Sequence, residues 1–287
     1  MPEGDTIEAL AGRIGRRFAD QRVGRCVTRD PRLTRLVLEG AVLTEAVAVG
    51  KRLLLRFDSG ITVHAHLLMD GQFDVGPVSQ APEWKRRLEL WFPNGRLTAV
   101  DVPILGHIAT TQEHEIVGHL GPDLCGPTAP DPADIAARLR VDPARPLSEV
   151  LLDQRLVAGF GNVFTVEIPF LCGISPFQPV GSVDGLASLV RIGTALIRWS
   201  MVDNARNTTG RRLRGPSYWV YGRDGGRCPI CGTALVSRSA DHTPWGRNTV
   251  WCPECQPLTS ARATVDLARA RKRLALHPAR RDAFEAG

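Results

Sequence analysis

Apolar residues fall at Ile7, Leu10, Ala11, Ile14 and Phe18 in the stretch DTIEALAGRIGRRF. This i, i+3, i+4, i+7, i+11 spacing predicts an amphipathic helix near the start of the chain. Asp5, with Glu8 three residues later, resembles a capping box and sets the expected helix start. From about Val23 to Ile116 the pattern becomes β. TRLVLEG, KRLLLRFDSGITVHAHL and RLELWFPNGRLTAVDV alternate or run apolar between DSG and PNG turns. Several such strands behind one helix predict a β-sandwich. LGPDLCGPTAPDPAD reads as a linker, because Pro122, Pro127, Pro130 and Pro132 break regular structure. Beyond it the period is helical. PLSEVLLDQ is a short helix, GFGN is a tight turn allowed by Gly159 and Gly161, and NVFTVEIPFLCG is a helix with a kink expected at Pro169. VDGLASLVRIGTALIRWSMV is a longer amphipathic helix, followed by a cysteine module and the basic stretch ARARKRLALHPARR. The chain therefore reads as α+β with two main domains. An N-terminal β-sandwich with its leading helix covers 1–119, a linker 120–145, a helical domain 146–225, a four-cysteine module 226–257, and a basic tail, part helix and part disorder, 258–287.

Composition changes the picture in three places. Hydrophobic residues make up 43% of the 287, enough for real cores. No apolar run reaches membrane-spanning length, and the N-terminus lacks the basic-then-apolar pattern of a signal peptide, so a cytoplasmic protein is expected. In that compartment seven cysteines point to metal or free thiols rather than disulfides. Charge is uneven: residues 1–150 hold 18 basic and 20 acidic residues, and residues 151–287 hold 18 basic and 10 acidic. A basic C-terminal half suits a polyanion such as nucleic acid, although an ordinary solvated charged face would look the same. Only Lys51, Lys85 and Lys272 among the 36 basic residues are lysines. Arginine cannot lose its proton and has a different shape, which singles out Lys51.

The strongest chemical signal is CPIC…CPEC. Cys228, Cys231, Cys252 and Cys255 are spaced C-x2-C-x20-C-x2-C, which suits one tetrahedral, closed and therefore structural zinc site. The intervening residues can form a hairpin turning near Thr243–Gly246. Cys26, Cys125 and Cys172 have no metal-like spacing. In LLDQRLVAGFGNVFTVE, two helices joined by a glycine turn offer backbone N–H groups to a phosphate, with Asn162 at or near the second helix's cap. A plain helix hairpin is the alternative. At MPEGDT two readings also stand. Pro2 is a start-site residue only, or, once Met1 is removed, a nucleophilic secondary amine of pKa near 8, lowered further by the helix that follows.

Together these pieces resemble the formamidopyrimidine-DNA glycosylase/endonuclease VIII family of base-excision repair enzymes. The matching segments, in the family's order, are PEG at the start, GKRL at 50–53, MDG at 69–71, LGPDL at 120–124, LLDQRLVAGFGNVF at 151–164 and the finger ending CPECQ. The resemblance implies a β-sandwich hinged to a helix–two-turn–helix domain with a zinc finger, acting as a monomer on double-stranded DNA bound in the cleft between them. It implies that Pro2 attacks C1′ of a damaged nucleotide, that Glu3 is the general acid/base, and that Lys51 contacts the phosphates and assists. It implies that Asn162 and Arg247 grip phosphates flanking the lesion and that Met69 fills the gap left by the extruded base, unless Met69 is a core residue. Glu167, on the helix of Asn162, takes a structural or supporting role.

The PEG start with Lys51 in VGKRL looks closer to the endonuclease VIII branch, which acts on oxidised pyrimidines. Thr6 stands where the family often has a second Glu. Pro103 and Leu105 stand where the formamidopyrimidine branch has wedge residues Arg and Phe. The expected activity is a bifunctional DNA glycosylase and abasic-site lyase cutting by β,δ-elimination. The alternatives are an oxidised-purine glycosylase and a non-catalytic, zinc-dependent protein that binds damaged DNA.

Overall fold

The computed structural model describes residues 2–203, 206–210 and 217–274. The chain divides into two compact units, residues 1–119 and 120–287.

In the first unit, α1 (Gly4–Phe18) buries Ile7, Leu10, Ala11, Ile14 and Phe18, the stripe its sequence predicts. The strands that follow are β1 (Gln21–Arg22), β2 (Arg25–Thr28), β3 (Val42–Val49), β4 (Arg52–Phe57), β5 (Ile61–His66), β6 (Gln72–Gly76), β7 (Arg86–Phe92), β8 (Gly95–Val100) and β9 (Ile104–Ala109). A short helix, α2 (His114–Val117), closes the unit. The strands form two antiparallel sheets, in the orders β1-β3-β4-β5-β9 and β2-β7-β8-β6. Leu53, Leu55 and Val63 of one sheet share a core with Leu88, Leu90 and Leu97 of the other, together with the apolar face of α1. Period-2 alternation produces this, because every second side chain of β4 and β7 enters the same layer. Phe18 stacks on Phe92 with ring centroids 4.5 Å apart, fixing α1 to the second sheet. The DSG and PNG segments are the turns the sequence predicts, with Gly60 and Gly95 at positive φ.

In the second unit, α3 (Pro132–Leu139), α4 (Leu147–Leu152), α5 (Asn162–Cys172) and α6 (Leu186–Asp203) surround one apolar core. β10 (Val183–Asp184) pairs with β13 (Ala263–Thr264), and the hairpin β11 (Val236–Arg238)–β12 (Thr249–Trp251) belongs to the cysteine module. The last described helix is α7 (Leu267–Arg273). Among the described residues, no helix is long and apolar enough to cross a membrane.

Three sequence expectations gain detail here. The 120–145 stretch is not a plain linker, because α3 forms within it. Pro132 sits in the first turn, where its missing N–H costs nothing, and Asp131 caps the helix through the Ala133 amide at 2.9 Å. Residues 258–274 are not a loose tail. The Val265 amide bonds to Asp184 O at 3.0 Å and the Asp266 amide to Cys172 O at 3.2 Å, which docks α7 on the unit. Residues 275–287, the rest of the expected tail, lie outside the described residues.

The third concerns Pro169, where a helix kink is expected; α5 continues through it, from Asn162 to Cys172. Proline removes the hydrogen bond to the carbonyl four residues earlier, that of Thr165. The Ser148 hydroxyl, wholly buried on α4, donates to that carbonyl at 2.7 Å and replaces the missing donor. Ser148→Ala should leave the Thr165 carbonyl buried and unpaired. A loss of about 1–3 kcal/mol is expected in chemical denaturation of the metal-loaded protein. Ala at a second buried site without such a bond serves as the control.

Candidate active site

The first residues are held by the helix they begin. Glu3 is the N-cap of α1, and its carbonyl accepts the amides of Thr6 and Ile7 at 3.0 and 3.1 Å. Its side chain is fully buried. Pro2 therefore stands one residue ahead of the cap, at the positive end of the helix dipole. The expected Asp5–Glu8 capping box does not start the helix. Asp5 is already helical, and its carboxylate takes the Thr6 amide at 2.7 Å within the first turn.

Lys51 lies at a hairpin tip rather than along a strand edge. Val49 pairs with Arg52, so Gly50 and Lys51 form the two-residue loop between β3 and β4. Gly50, at φ 60°, supplies the left-handed conformation such a loop needs. Beside this tip runs the outer face of β5. Burial, followed by the charges of Arg52 and Lys51, pushes His66 down to about 4. Burial and Arg52 likewise lower His64. Neutral His66 uses Nδ1 to accept the Leu68 amide at 3.2 Å.

That bond starts the sharp loop carrying Met69. Leu68 has φ 47°, a left-handed conformation costing on the order of 1–3 kcal/mol for such a side chain. Gly71 closes the loop, its amide on Leu67 O at 2.9 Å, and a Cβ there would lie 2.8 Å from the same oxygen. The result is an apolar tip in water, with Leu68 41% and Met69 64% exposed. Met69 is thus not a core residue. Leu68 was not singled out by the sequence reading, and its signal is only its place beside Met69 in HLLMDG. Pro103 packs under Gly71, whereas Leu105 is buried in the sandwich core and cannot act as a wedge. Next to this loop a cavity of about 860 Å³ is lined by Asp70, Pro103 and the charged side chains Arg32, Lys85, Arg87 and Asp101.

In the second unit, the turn between α4 and α5 is built from its own polar groups. Gln154 Nε2 donates to Leu152 O at 2.8 Å and Phe160 O at 2.9 Å, while its Oε1 accepts the Gly159 amide at 3.1 Å. Gly159 adopts φ 112°, a conformation that favours glycine. The LGPDL segment interlocks with this turn: Gly121 N bonds to Gln154 O at 2.8 Å, and Leu124 N to Ala158 O at 3.1 Å. Asn162 is the first residue of α5, and Gly161 is the cap. Its Nδ2 donates to Asn248 O at 3.0 Å, while its Oδ1 is buried without a hydrogen-bond partner. The structure thereby brings Asn162 beside Arg247, the residue before Asn248. Arg247 is exposed at the end of the Thr243–Gly246 turn, its amide held by Thr243 Oγ1 at 3.0 Å.

Glu167 proves structural. It is wholly buried and accepts the backbone amides of Trp219, Val220 and Tyr221, each at 2.8 Å, as well as the Thr208 hydroxyl. Burial pushes this carboxyl up, against four hydrogen bonds that favour the anion. One carboxylate thus ties residue 208 to residues 219–221.

The four predicted cysteines converge. Their sulfurs all lie within 4.8 Å of one another, with Cys228–Cys255 at 3.9 Å and Cys231–Cys252 at 3.5 Å. A tetrahedral ion with bonds of about 2.3 Å needs sulfurs roughly 3.8 Å apart, so the cluster fits a metal ion. The Thr233 hydroxyl leads in lowering Cys231 to about 6, while burial pushes Cys252 up to about 11.

Comparison with known proteins agrees with this arrangement. Residues 1–108 match the model of the formamidopyrimidine-DNA glycosylase N-terminal domain. A probable endonuclease 8 2 of Streptomyces coelicolor is 40% identical, over 89% of this chain and 94% of that protein. The chain belongs to the formamidopyrimidine-DNA glycosylase/endonuclease VIII family. Within this family its likeness is to the endonuclease VIII branch. A DNA-(apurinic or apyrimidinic site) lyase Nei2 of Mycolicibacterium smegmatis is 36% identical, over 89% of this chain and 99% of that protein. The family fold is also seen in Lactococcus lactis Fpg, solved in complex with DNA containing N7-benzyl-Fapy-dG. That structure has a TM-score of 0.74 at 22% identity, covering 89% of this chain and all of that one.

Two outcomes follow for this endonuclease VIII-like chain. His66 binds a proton less readily folded than unfolded, so stability should fall as pH drops from 6.5 towards about 4. Thermal melts across that window should show a shallower loss for His66→Gln. Glu167→Gln should place an N–H₂ group among N–H donors, lower the melting temperature, and weaken hydrogen-exchange protection of the Trp219, Val220 and Tyr221 amides most.

Proposed function

We propose that the protein is a bifunctional DNA glycosylase and abasic-site lyase that removes oxidised pyrimidines. The observation that carries this reading is Pro2 set one residue ahead of the buried N-cap Glu3. An imino-acid nitrogen there, once Met1 is cleaved, is kept neutral by the helix dipole and is ready to act as a nucleophile.

In this reading the Pro2 nitrogen lone pair attacks C1′. The glycosidic bond breaks, the base leaves with its electron pair, and it takes up the proton that the Pro2 nitrogen loses on bonding to C1′. Glu3 delivers a proton to O4′ as the C1′–O4′ bond opens, leaving a C=N⁺ iminium. The iminium draws electrons from C2′, so loss of the C2′ proton expels the phosphate on C3′. A second elimination expels the phosphate on C5′, and water then releases Pro2. The Lys51 ammonium, at the tip of its hairpin, offsets phosphate charge near the reacting sugar. Met69, with strained Leu68, fills the space of the extruded base. Asn162, the N-terminus of α5 and Arg247 bind phosphate, each from a site already fixed by protein hydrogen bonds. The four cysteines hold one structural zinc ion, which keeps the β11–β12 hairpin and Arg247 in place. Support for the pyrimidine branch comes from the two wedge positions. Pro103 and Leu105 offer no side chain to read an opposite base, and Leu105 is buried.

Borohydride reduction of the protein on abasic DNA should trap a covalent adduct at the N-terminal proline, and Pro2→Gly should cut trapping by at least tenfold. Correctly processed protein that gives no adduct would overturn the mechanism. Duplexes carrying thymine glycol, dihydrouracil, 5-hydroxycytosine or 8-oxoguanine test the substrate class. Faster excision of 8-oxoguanine than of the three pyrimidines would reverse the assignment.

A further inference from the structure

Helix α7 lies beyond the last cysteine, yet it is fastened to the cysteine module. Arg269 Nη1 donates to the carbonyl of Cys255 at 2.9 Å. Asp266 caps the helix through the Arg269 amide at 2.8 Å. A cavity of about 620 Å³ is lined on one side by Cys231 and Cys255 and on the other by Arg269 and Arg273. Gly173, at φ 72°, leaves room for Arg269, whose Nη1 would lie 2.5 Å from a Cβ there.

Arg273 is the anomaly. Its side chain is only 4% exposed, and its Nε and Nη1 have no hydrogen-bond partner. Its guanidinium lies 4.1 Å from the centroid of the Phe170 ring, which offers a weak cation–π contact. Among the described residues no carboxylate forms an ion pair with it. Asp266 is engaged by Arg269 at 3.4 Å, and Glu254, which lines the same cavity, is exposed. A buried, unpaired guanidinium is strongly unfavourable, so it persists where another charge offsets it. Four thiolates around one divalent cation carry a net charge of about −2, and such a cluster would adjoin Arg273.

We propose that Arg273 is the counter-charge of the four-cysteine metal site, carried to it by α7. This rests on the zinc reading above. The C-terminal segment after the finger is thereby part of the metal centre. It lowers the energy of the anionic cluster and slows loss of the ion, as outer partners of metal ligands do elsewhere. Arg273 does not touch substrate, so its role is to hold the centre, and through it the hairpin that bears Arg247.

The test uses the full-length zinc-loaded protein with Arg273→Met and Arg273→Lys, and reads zinc content by mass spectrometry and zinc release to a chromophoric chelator. Arg273→Met should release zinc at least tenfold faster than wild type. Arg273→Lys, which keeps the charge, should recover much of the difference. Melting should separate charge from packing. Arg273→Met should lower the melting temperature of the loaded protein but leave that of the stripped protein unchanged or raised, because an uncompensated charge has been removed. Equal destabilisation of both forms, or release within twofold of wild type in both variants, would overturn the proposal and leave the zinc reading intact. If Arg273→Met does not fold, Arg273→Lys decides: near-wild-type release supports the charge role, and release as fast as from a Cys231→Ser variant overturns it. Wild-type protein without stoichiometric zinc would overturn the zinc reading and this inference with it.

Discussion

The amides of Thr6 and Ile7 meet at one carbonyl, that of Glu3, and this fixes where α1 starts and so where Pro2 stands. A terminal residue normally frays, because few contacts oppose its conformational entropy. Here the first turn of α1 is anchored by Ile7, Leu10 and Ala11 in the core, and Glu3 is buried with it. Pro2 inherits that order at a distance of one residue. Its ring adds a fixed φ, so in the proposed mechanism little freedom is left to be lost when its nitrogen meets a sugar carbon. In the proposed mechanism the scaffold's service is therefore to hold Pro2 in place. The sandwich supplies it by packing α1 on β3 and β4 and stacking Phe18 on Phe92.

The second unit obeys a related rule, that each buried polar group finds a partner. Pro169 takes a donor away from α5, and Ser148 returns one from α4. Gln154 closes the turn ahead of Gly159 with three bonds from a single amide. Glu167 gathers three consecutive backbone N–H groups. Ser148, Gln154 and Glu167 fix the backbone of α5 and of the turn before it, and so the place of Asn162, which the proposed function sets on a phosphate. Among the described residues of this unit, Asn162 Oδ1 and the Nε and Nη1 of Arg273 break the rule, and for Arg273 the metal cluster is the group whose charge answers it.

Much of this was legible in the sequence because the signals are local. The α1 stripe, the DSG and PNG turns, the Thr243–Gly246 turn and the four cysteines each depend on spacings within one element or motif. What was misread depends on distant partners. Asp5 resembled a cap, but the Glu3 carbonyl already served Thr6 and Ile7, and the Asp5 carboxylate turned to the neighbouring amide. Pro169 signals a kink, but the serine that replaces its donor lies 21 residues earlier and is not visible locally. The segment after Gln256 reads as a basic tail, part helix, and the helix is there as α7, but its docking is not legible. Its anchors, Asp184 and Cys172, lie more than 80 residues away in sequence and are invisible to any periodicity.

The departure at Pro103 shows how the same loop can be supported differently. An arginine side chain at that position could reach outward, whereas proline cannot. Instead Arg32 comes from the 3₁₀ turn after β2, donates to the carbonyls of Pro103 and Val102, and is itself held by Asp30. Its donors are directed at backbone, so Arg32 braces the strand entering β9 rather than replacing the missing reader. Pro103 in turn supports Gly71, and Gly71 closes the loop that lifts Leu68 and Met69 into water. The side chain that would have contacted a base has become part of the footing of an apolar tip. In the proposed function, specificity at this tip then rests on how readily a base pair yields to insertion, because the described loop presents apolar surface there.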